Sequence, residues 1–406
     1  MTTPRVLHLW LQGRHIGEIE RLRSGRPRLR FDPESLRHWG VGARPLSYSL
    51  PLTPRRVESP ELEIYLDNLL PEGALRTQLE REHGVRPGDA LGLLAHVGQE
   101  CAGAVQITTG DELPVPRLRP LTPGEVDRIV LDLPTLTSPD GESITASLGG
   151  VQSKVLLTRD GDGWSWPTGG APSSHLLKPE PADPRAAVPR IIELEHWAMR
   201  VAARAGQAVA RTEIGRFGGR LTLVVERFDR EDGERFHQED AAQALGIRPG
   251  DKYEPAAGEG RLRRLATGPG AEAEDPAVFR DDLLRQVTFR LLVGDGDAHA
   301  KNYSLMNRDG SFSVAPAYDV APVFHVDPRF GDFGMRVDGQ RRLARLGREH
   351  LVAEAESWGV PRGRARDVVQ DVAASVRSAL ESTADLEGFD LVARVRARVD
   401  QVADGT

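Results

Sequence analysis

The chain has 406 residues, 39% of them hydrophobic and 28% charged, with a formal net charge of −7, which leaves room for two or three domains with substantial cores. No apolar run approaches a membrane span, and the first residues reach Arg5 and Arg14 without an apolar signal core, so a cytoplasmic protein with no membrane partner is expected. The single cysteine, Cys101, excludes an internal disulfide framework and reads as a small buried residue, while the acidic balance argues against a direct grip on nucleic acid.

Residues 5–20 predict short strands around a Gln12-Gly13 turn. Ser59-Pro60-Glu61 has the form of a helix start, with Ser at the N-cap, Pro at the first helical position and an acid in the first turn; the helix would carry Leu62, Tyr65, Leu66 and Leu69. A helix near residues 90–96 and a strand at 102–107 follow. The Pro-, Gly- and charge-rich stretch 108–120 reads as a linker, and Thr122-Pro123-Gly124-Glu125 as a capping box that restarts helix. Strands are expected at 154–158 and 175–178, then a helix from Pro189 to Gly206. Gly218-Gly219 signals a hairpin between 212–217 and 220–227. Residues 254–274 read as an exposed loop. A helix through Val278, Leu284 and Leu291 ends at Gly294, a hairpin turns at Arg308-Asp309-Gly310, and helices are expected around Val368–Leu380 and over residues 386–402.

Two scarcities single out the chemistry. Of the 53 Lys and Arg residues only four are lysine, namely Lys154, Lys178, Lys252 and Lys301, and only three asparagines occur. A compact ammonium fits a tight phosphate pocket that a planar guanidinium does not. Asp297, Asn302 and Asp319 lie in Asp-Ala-His-Ala-Lys-Asn and Tyr318-Asp319. A carboxylate, an amide five residues on and a second carboxylate beyond a hairpin is how a phosphotransferase aligns a hydroxyl and holds magnesium beside nucleotide phosphates. Lys301, between the two polar groups, would neutralise the transferring phosphoryl group. His299 would pack to hold Asp297, or be purely structural. Asp295 reads as a turn or capping residue. A zinc reading lacks sulfur or a second histidine at ligand spacing. Lys178 ends a strand and would meet nucleotide phosphates, with Glu195 either its partner or a solvated helix residue. Ser147-Leu-Gly149-Gly150-Val151-Gln152-Ser-Lys154 is a phosphate loop or an ordinary turn, depending on that context. Glu226 and Phe228 lie where backbone would meet an adenine edge.

These motifs, together with Arg44-Pro-Leu-Ser-Tyr-Ser-Leu-Pro-Leu52, Asp67-Asn-Leu-Leu-Pro-Glu-Gly73, Cys101-Ala-Gly-Ala-Val, His237-Gln-Glu-Asp240 and Lys252-Tyr-Glu254, resemble in order the HipA family of toxin kinases from bacterial HipBA-type toxin–antitoxin systems. The resemblance implies an α+β fold: a two-lobed, protein-kinase-like body with an added N-terminal α+β subdomain (residues 1–110), an N-lobe carrying the phosphate loop (111–228) and a mainly helical C-lobe (229–406). It implies ATP and magnesium, with Asp297 as catalytic carboxylate assisted by His299 and Lys301, and Asn302 and Asp319 as metal ligands. It further implies Lys178, Lys154, Gly149, Gly150, Val151, Gln152, Glu226 and Phe228 on the nucleotide, and Ser147 as the autophosphorylated serine whose added charge of roughly −2 would oppose a bound triphosphate. The implied partners are a helix-turn-helix antitoxin of HipB type, operator DNA through that antitoxin, and a translation-related protein substrate of the aminoacyl-tRNA synthetase class. A weakly catalytic corepressor and a kinase with a small-molecule acceptor are the competing readings.

Overall fold

The computed structural model describes residues 4–133, 152–181 and 188–404, and its contacts divide into two units. The first draws on the chain up to Pro179, Gly215–Pro249 and Met306–Ser311; the second on Glu180–Ile214, Gly250–Leu305 and Phe312 onward.

In the first unit, β1 (Val6–Leu11), β2 (Arg14–Arg21), β3 (Pro27–Phe31) and β4 (Val105–Thr108) form an antiparallel sheet in the order β3-β2-β1-β4. The expected turn lies at Gln12 and Gly13, with φ of 50° and 74°, the left-handed pair that a two-residue hairpin needs. Of the helices α1 (Pro33–Trp39), α2 (Pro60–Asn68), α3 (Gly73–Glu82), α4 (Ala90–Val97) and α5 (Pro123–Asp132), α2 starts at the expected Ser59 cap, although the serine hydroxyl makes no capping hydrogen bond. Before α5 both halves of the capping box form between Thr122 and Glu125.

A second sheet follows the order β5-β7-β6-β8-β10-β9, made of β5 (Arg117–Leu121), β6 (Val155–Asp160), β7 (Gly163–Thr168), β8 (His175–Pro179), β9 (Thr212–Phe217) and β10 (Arg220–Glu226). Two expectations are corrected here. The stretch 108–120 ends in strand β5 rather than remaining linker; Pro120 is tolerated because β5 is an edge strand. The Trp-containing strand β7 was not anticipated. Leu9, Leu62, Leu94, Ile129, Trp166, Leu177 and Val224 belong to a single hydrophobic core, so both sheets of this unit share one interior. Cys101 is fully buried in it, as expected, and burial pushes its thiol up to about 12.

Glu239 is fully buried on the strand Gln238–Asp240. It accepts hydrogen bonds from the Ser47 hydroxyl at 2.6 Å and the Tyr48 amide at 2.8 Å, which fastens the segment 44–52. Burial nonetheless raises its carboxyl to about 8. A folded value above the unfolded one, about 4.3, means that the protonated acid favours folding: its contribution is complete below the unfolded value and is lost as pH rises towards 8. Glu239→Gln is therefore expected to raise the urea midpoint at pH 8, with the advantage shrinking as pH falls to 5. A variant that tracks the wild type at both pH values would show that this carboxyl is buried in its ionised form.

The second unit is mainly helical: α6 (Ile191–Arg204), α8 (Arg261–Thr267), α9 (Pro276–Val293), α10 (Arg348–Ser357), α11 (Arg362–Glu381) and α12 (Leu391–Asp404), while the short α7 (Ala241–Leu245) lies in the first. Helix α9 packs against α10, α11 and α12 and is buried nearly all round over its last eight residues. Asp275 caps its start, accepting from the amides of Ala277 and Val278, and Gly294 ends it in the left-handed conformation (φ 78°). The stretch 254–274 is corrected from exposed loop to partly buried helix: Leu262, Leu265 and Ala266 share one face of α8 and are all buried. Among the described residues no helix is long and apolar enough to cross a membrane.

Candidate active site

The residues after α9 form a tight turn whose polar groups are organised by one buried arginine. Arg290, fully buried, donates from Nη1 to Asp295 at 2.6 Å and from Nη2 to two backbone carbonyls, Asn302 at 2.6 Å and Tyr318 at 2.8 Å. One nitrogen thus ties the Asn302 segment to the Tyr318-Asp319 segment. The hairpin of Ser304–Arg308 and Ser311–Val314 brings the chain back, with the Ala315 amide donating to the Ser304 carbonyl at 2.9 Å. The Tyr318 hydroxyl then donates to the Lys301 carbonyl at 2.7 Å. Asp295 sits in this turn and its amide closes the end of α9 on the Arg290 carbonyl at 2.9 Å, but its carboxylate does not cap: it is the buried acid of this clamp.

Asp297, His299, Lys301, Asn302 and Asp319 are brought together in this unit. The His299 amide donates to the Asp297 carbonyl at 2.7 Å, and the Asn302 side-chain amide donates to the same oxygen at 2.8 Å. That bond occupies Nδ2 of Asn302 and leaves Oδ1 as the atom that could meet a metal ion. Asp319 has φ 54°, a left-handed conformation that a non-glycine residue holds only where its surroundings impose it. Here the imposition is visible: Ala317 exchanges backbone hydrogen bonds of 2.9 Å with Ala208 and Ala210 on one side, and Arg290 holds Tyr318 on the other.

Burial, reinforced by the Asp319 charge and opposed by a hydrogen bond from Tyr253, raises the Asp297 carboxyl to about 6. The imidazole of His299 is lowered to about 3 by burial and by Lys252, so it is neutral at pH 7; it lies edge-on to the Tyr253 ring at 5.0 Å, which suits packing better than proton transfer. Gly334 lies directly against the backbone of Ala298 and His299, where a Cβ would sit 2.4 Å from the Ala298 carbonyl carbon.

Among the described residues no group of three or more His, Cys, Asp or Glu is arranged to hold a metal ion. The side chains that could hold a metal ion here, the Asn302 amide oxygen and the Asp319 carboxylate, both offer hard oxygens. Such a sparse pair suits magnesium, which keeps waters and takes its other ligands from phosphates.

In the first unit, β6 and β8 pair antiparallel with Val155 opposite Leu177. Lys154 immediately precedes β6, and Lys178 follows Leu177 in β8. Both lysines are largely buried, at 8% and 6% exposure. Two ammonium groups at the ends of paired strands could supply charge that suits a polyphosphate. Gln152 Nε2 is buried and finds no acceptor among the described residues, a donor suited to a phosphate oxygen. Ser147, Gly149, Gly150 and Val151 lie outside the described residues.

Glu226 ends β10 with an exposed side chain, and Phe228 is half-buried. Their neighbours are anchored deeply. Arg227 donates to Glu100 at 2.9 Å and to both oxygens of Asp229 at 2.9 Å, and Arg230 and Arg235 also donate to Glu100. The Gly103 amide donates to Asp229 at 2.7 Å. This buried network fixes the backbone on either side of Phe228. Glu195, on α6, is 2% exposed and so is not a solvated helix residue.

Residues 7–108 match the HipA N-terminal domain, and residues 146–380 the HipA-like C-terminal domain. The chain belongs to the HipA family. It is 33% identical to the putative kinase Y4mE of Sinorhizobium fredii, over 99% of this chain and 97% of that one. It is 31% identical to the serine/threonine-protein kinase toxin HipA of Shewanella oneidensis, over 80% of this chain and 77% of that protein. The solved structure of Shewanella oneidensis HipA with HipB and its operator DNA matches with a TM-score of 0.80 at 27% identity, covering 98% of this chain and 99% of that one. The fold is thus the α+β, kinase-like fold of HipA, as the ordered motifs implied.

Arg290 and Tyr253 were not anticipated as site residues. A signal for Arg290 was present, since it is the only charge in the run Thr288–Val293, and a charge that interrupts an apolar helix end needs a buried partner.

Proposed function

We propose that this chain is an ATP- and magnesium-dependent serine/threonine protein kinase of the HipA toxin type. The observation that carries the reading is the convergence of Asp297, Asn302 and Asp319 around the Arg290 clamp. Asp297 takes the proton of an acceptor hydroxyl while that oxygen attacks the γ-phosphorus and the bond to the ADP oxygen breaks. Asn302 and Asp319 hold magnesium, which supplies neutralisation of phosphate charge when bound. Lys154, Lys178 and Gln152 take nucleotide phosphate oxygens together with the backbone of Gly149, Gly150 and Val151, and Lys301 balances the transferring group. The backbone of Glu226 and Phe228 receives adenine. His299, neutral, holds the catalytic turn by packing.

The acceptor within the chain is Ser147, and the acceptor outside it is a translation-related protein of the aminoacyl-tRNA synthetase class. The partner is a HipB-type antitoxin, through which the complex reaches operator DNA. An acidic chain with no basic surplus of its own favours that indirect route, as does the composition of the Shewanella oneidensis complex.

With labelled ATP and magnesium, the purified chain is expected to phosphorylate itself, with the phosphate mapping to Ser147 by mass spectrometry. Phosphate found only at other residues would remove the Ser147 assignment. Lys178→Arg is expected to lower kcat/KM for ATP by at least about tenfold, the size of one charge-assisted hydrogen bond lost when a fork replaces a point charge. Unchanged kinetics in that variant would place the phosphates elsewhere.

A further inference from the structure

Tyr253 donates a hydrogen bond from its hydroxyl to Oδ1 of Asp297. On the kinase reading, on which this inference rests, this carboxylate is the one an acceptor hydroxyl must reach, within about 2.6–3.2 Å. A hydroxyl of this chain already occupies the place.

The arrangement is built. The backbone on both sides of Tyr253 is pinned. Before it, the Lys252 carbonyl accepts from the Ala300 amide at 3.1 Å and from Arg261 at 2.7 Å. After it, the Glu254 amide donates to the Gly334 carbonyl at 2.9 Å, and its carbonyl accepts from Arg341 at 2.7 Å. The Glu254 carboxylate, 1% exposed, accepts from the amide and Nε of Arg336, both at 2.9 Å. Between these fixed points the Tyr253 side chain is 42% exposed and rests edge-on against His299. An aromatic ring with a locked backbone and a solvent-facing side leaves by rotation of its own side-chain torsions, without any loop having to open.

We propose that Tyr253 is the resident occupant of the acceptor-hydroxyl position: its phenol satisfies Asp297 while no acceptor is bound and is displaced by the serine or threonine hydroxyl of the substrate. The residue thereby sets where the acceptor enters, from the solvent-exposed side of the Tyr253 ring. It also suppresses transfer to water, since a water molecule must compete with a charge-assisted hydrogen bond for the same carboxylate.

The test compares ATP hydrolysis, with water as the acceptor, in the full-length wild type and in Tyr253→Phe, with magnesium present. The Phe variant keeps the ring on His299 and removes only the hydroxyl. Its hydrolysis kcat is expected to rise roughly tenfold, the scale of one hydrogen bond to a charged group, with KM for ATP unchanged. Tyr253→Ala is expected to hydrolyse at least as fast, and Asp297→Asn combined with Tyr253→Phe is expected to lose the gain. A hydrolysis rate that stays level or falls in Tyr253→Phe would overturn the inference, a fall meaning that the phenol supports Asp297 rather than competing for it. If the folded wild type neither autophosphorylates nor hydrolyses ATP with magnesium, the kinase reading fails and takes this inference with it. Autophosphorylation that persists beside an unchanged Tyr253→Phe hydrolysis rate removes this inference alone.

Discussion

Asp297→Asn is expected to lower phosphoryl transfer by about 10³-fold, within the range that a positioned general base contributes, while leaving the protein folded. The asparagine keeps the shape of the side chain and can still accept from Tyr253. The backbone carbonyl that receives the His299 and Asn302 amides is untouched by the change. Thermal stability should therefore hold or rise slightly, because the substitution removes a buried charge whose carboxyl is already raised by burial and by the neighbouring Asp319. Opposite movement of activity and stability would mark Asp297 as a residue kept for chemistry. The measurement is a pair: the initial rate of labelled-phosphate incorporation and the melting temperature of the same preparation. A rate within a few-fold of wild type would show that another group takes the proton.

Arg290→Met is expected to cost about 3–5 kcal/mol, the usual scale for removing one partner of a buried ion pair. Methionine fills much of the volume but returns no donor to Asp295, to the Asn302 carbonyl or to the Tyr318 carbonyl. Each would lose this donor, and Asp295 would be left a buried charge without its ion partner. Urea unfolding reads the loss directly. Adding Asp295→Asn to Arg290→Met is expected to recover part of it, because the stranded negative charge disappears, and the double-mutant cycle gives the coupling between the two. Activity should fall further than stability in Arg290→Met, since the same nitrogen aligns the Asn302 and Asp319 segments. A variant that unfolds at the wild-type urea concentration would show that the clamp is not what holds the turn.

The legible parts of the molecule were those in which local chemistry dictates conformation. Gln12-Gly13 and Gly218-Gly219 make their turns because the backbone there needs positive φ, and Thr122 with Glu125 makes its capping box because both partners lie within one helical turn. The pairing of Asn302 with the Asp297 segment is likewise local, five residues apart, and the hairpin that returns the chain to Asp319 carries its own Asp309-Gly310 turn. What escaped is non-local. Nothing in the sequence around residue 290 states that its guanidinium reaches carbonyls 12 and 28 residues away. Tyr253 meets Asp297 across 44 residues, through a stretch whose Gly-, Pro- and charge-rich start hid the buried Leu262, Leu265 and Ala266 of α8. The Arg227–Glu100–Asp229 network was hidden for another reason: in a chain that uses arginine for most of its positive charge, a buried arginine has no compositional mark.

The proposal that Asn302 and Asp319 hold the cation serving transfer at Asp297 stands or falls on where the metal binds. Its most direct test is a crystal structure of the full chain grown with manganese and a non-hydrolysable ATP analogue, in which the anomalous signal of manganese locates the metal. A peak is expected about 2.1 Å from Asn302 Oδ1 and from an Asp319 carboxylate oxygen, with phosphate oxygens completing the shell. A nucleotide bound with its metal away from both side chains would contradict it.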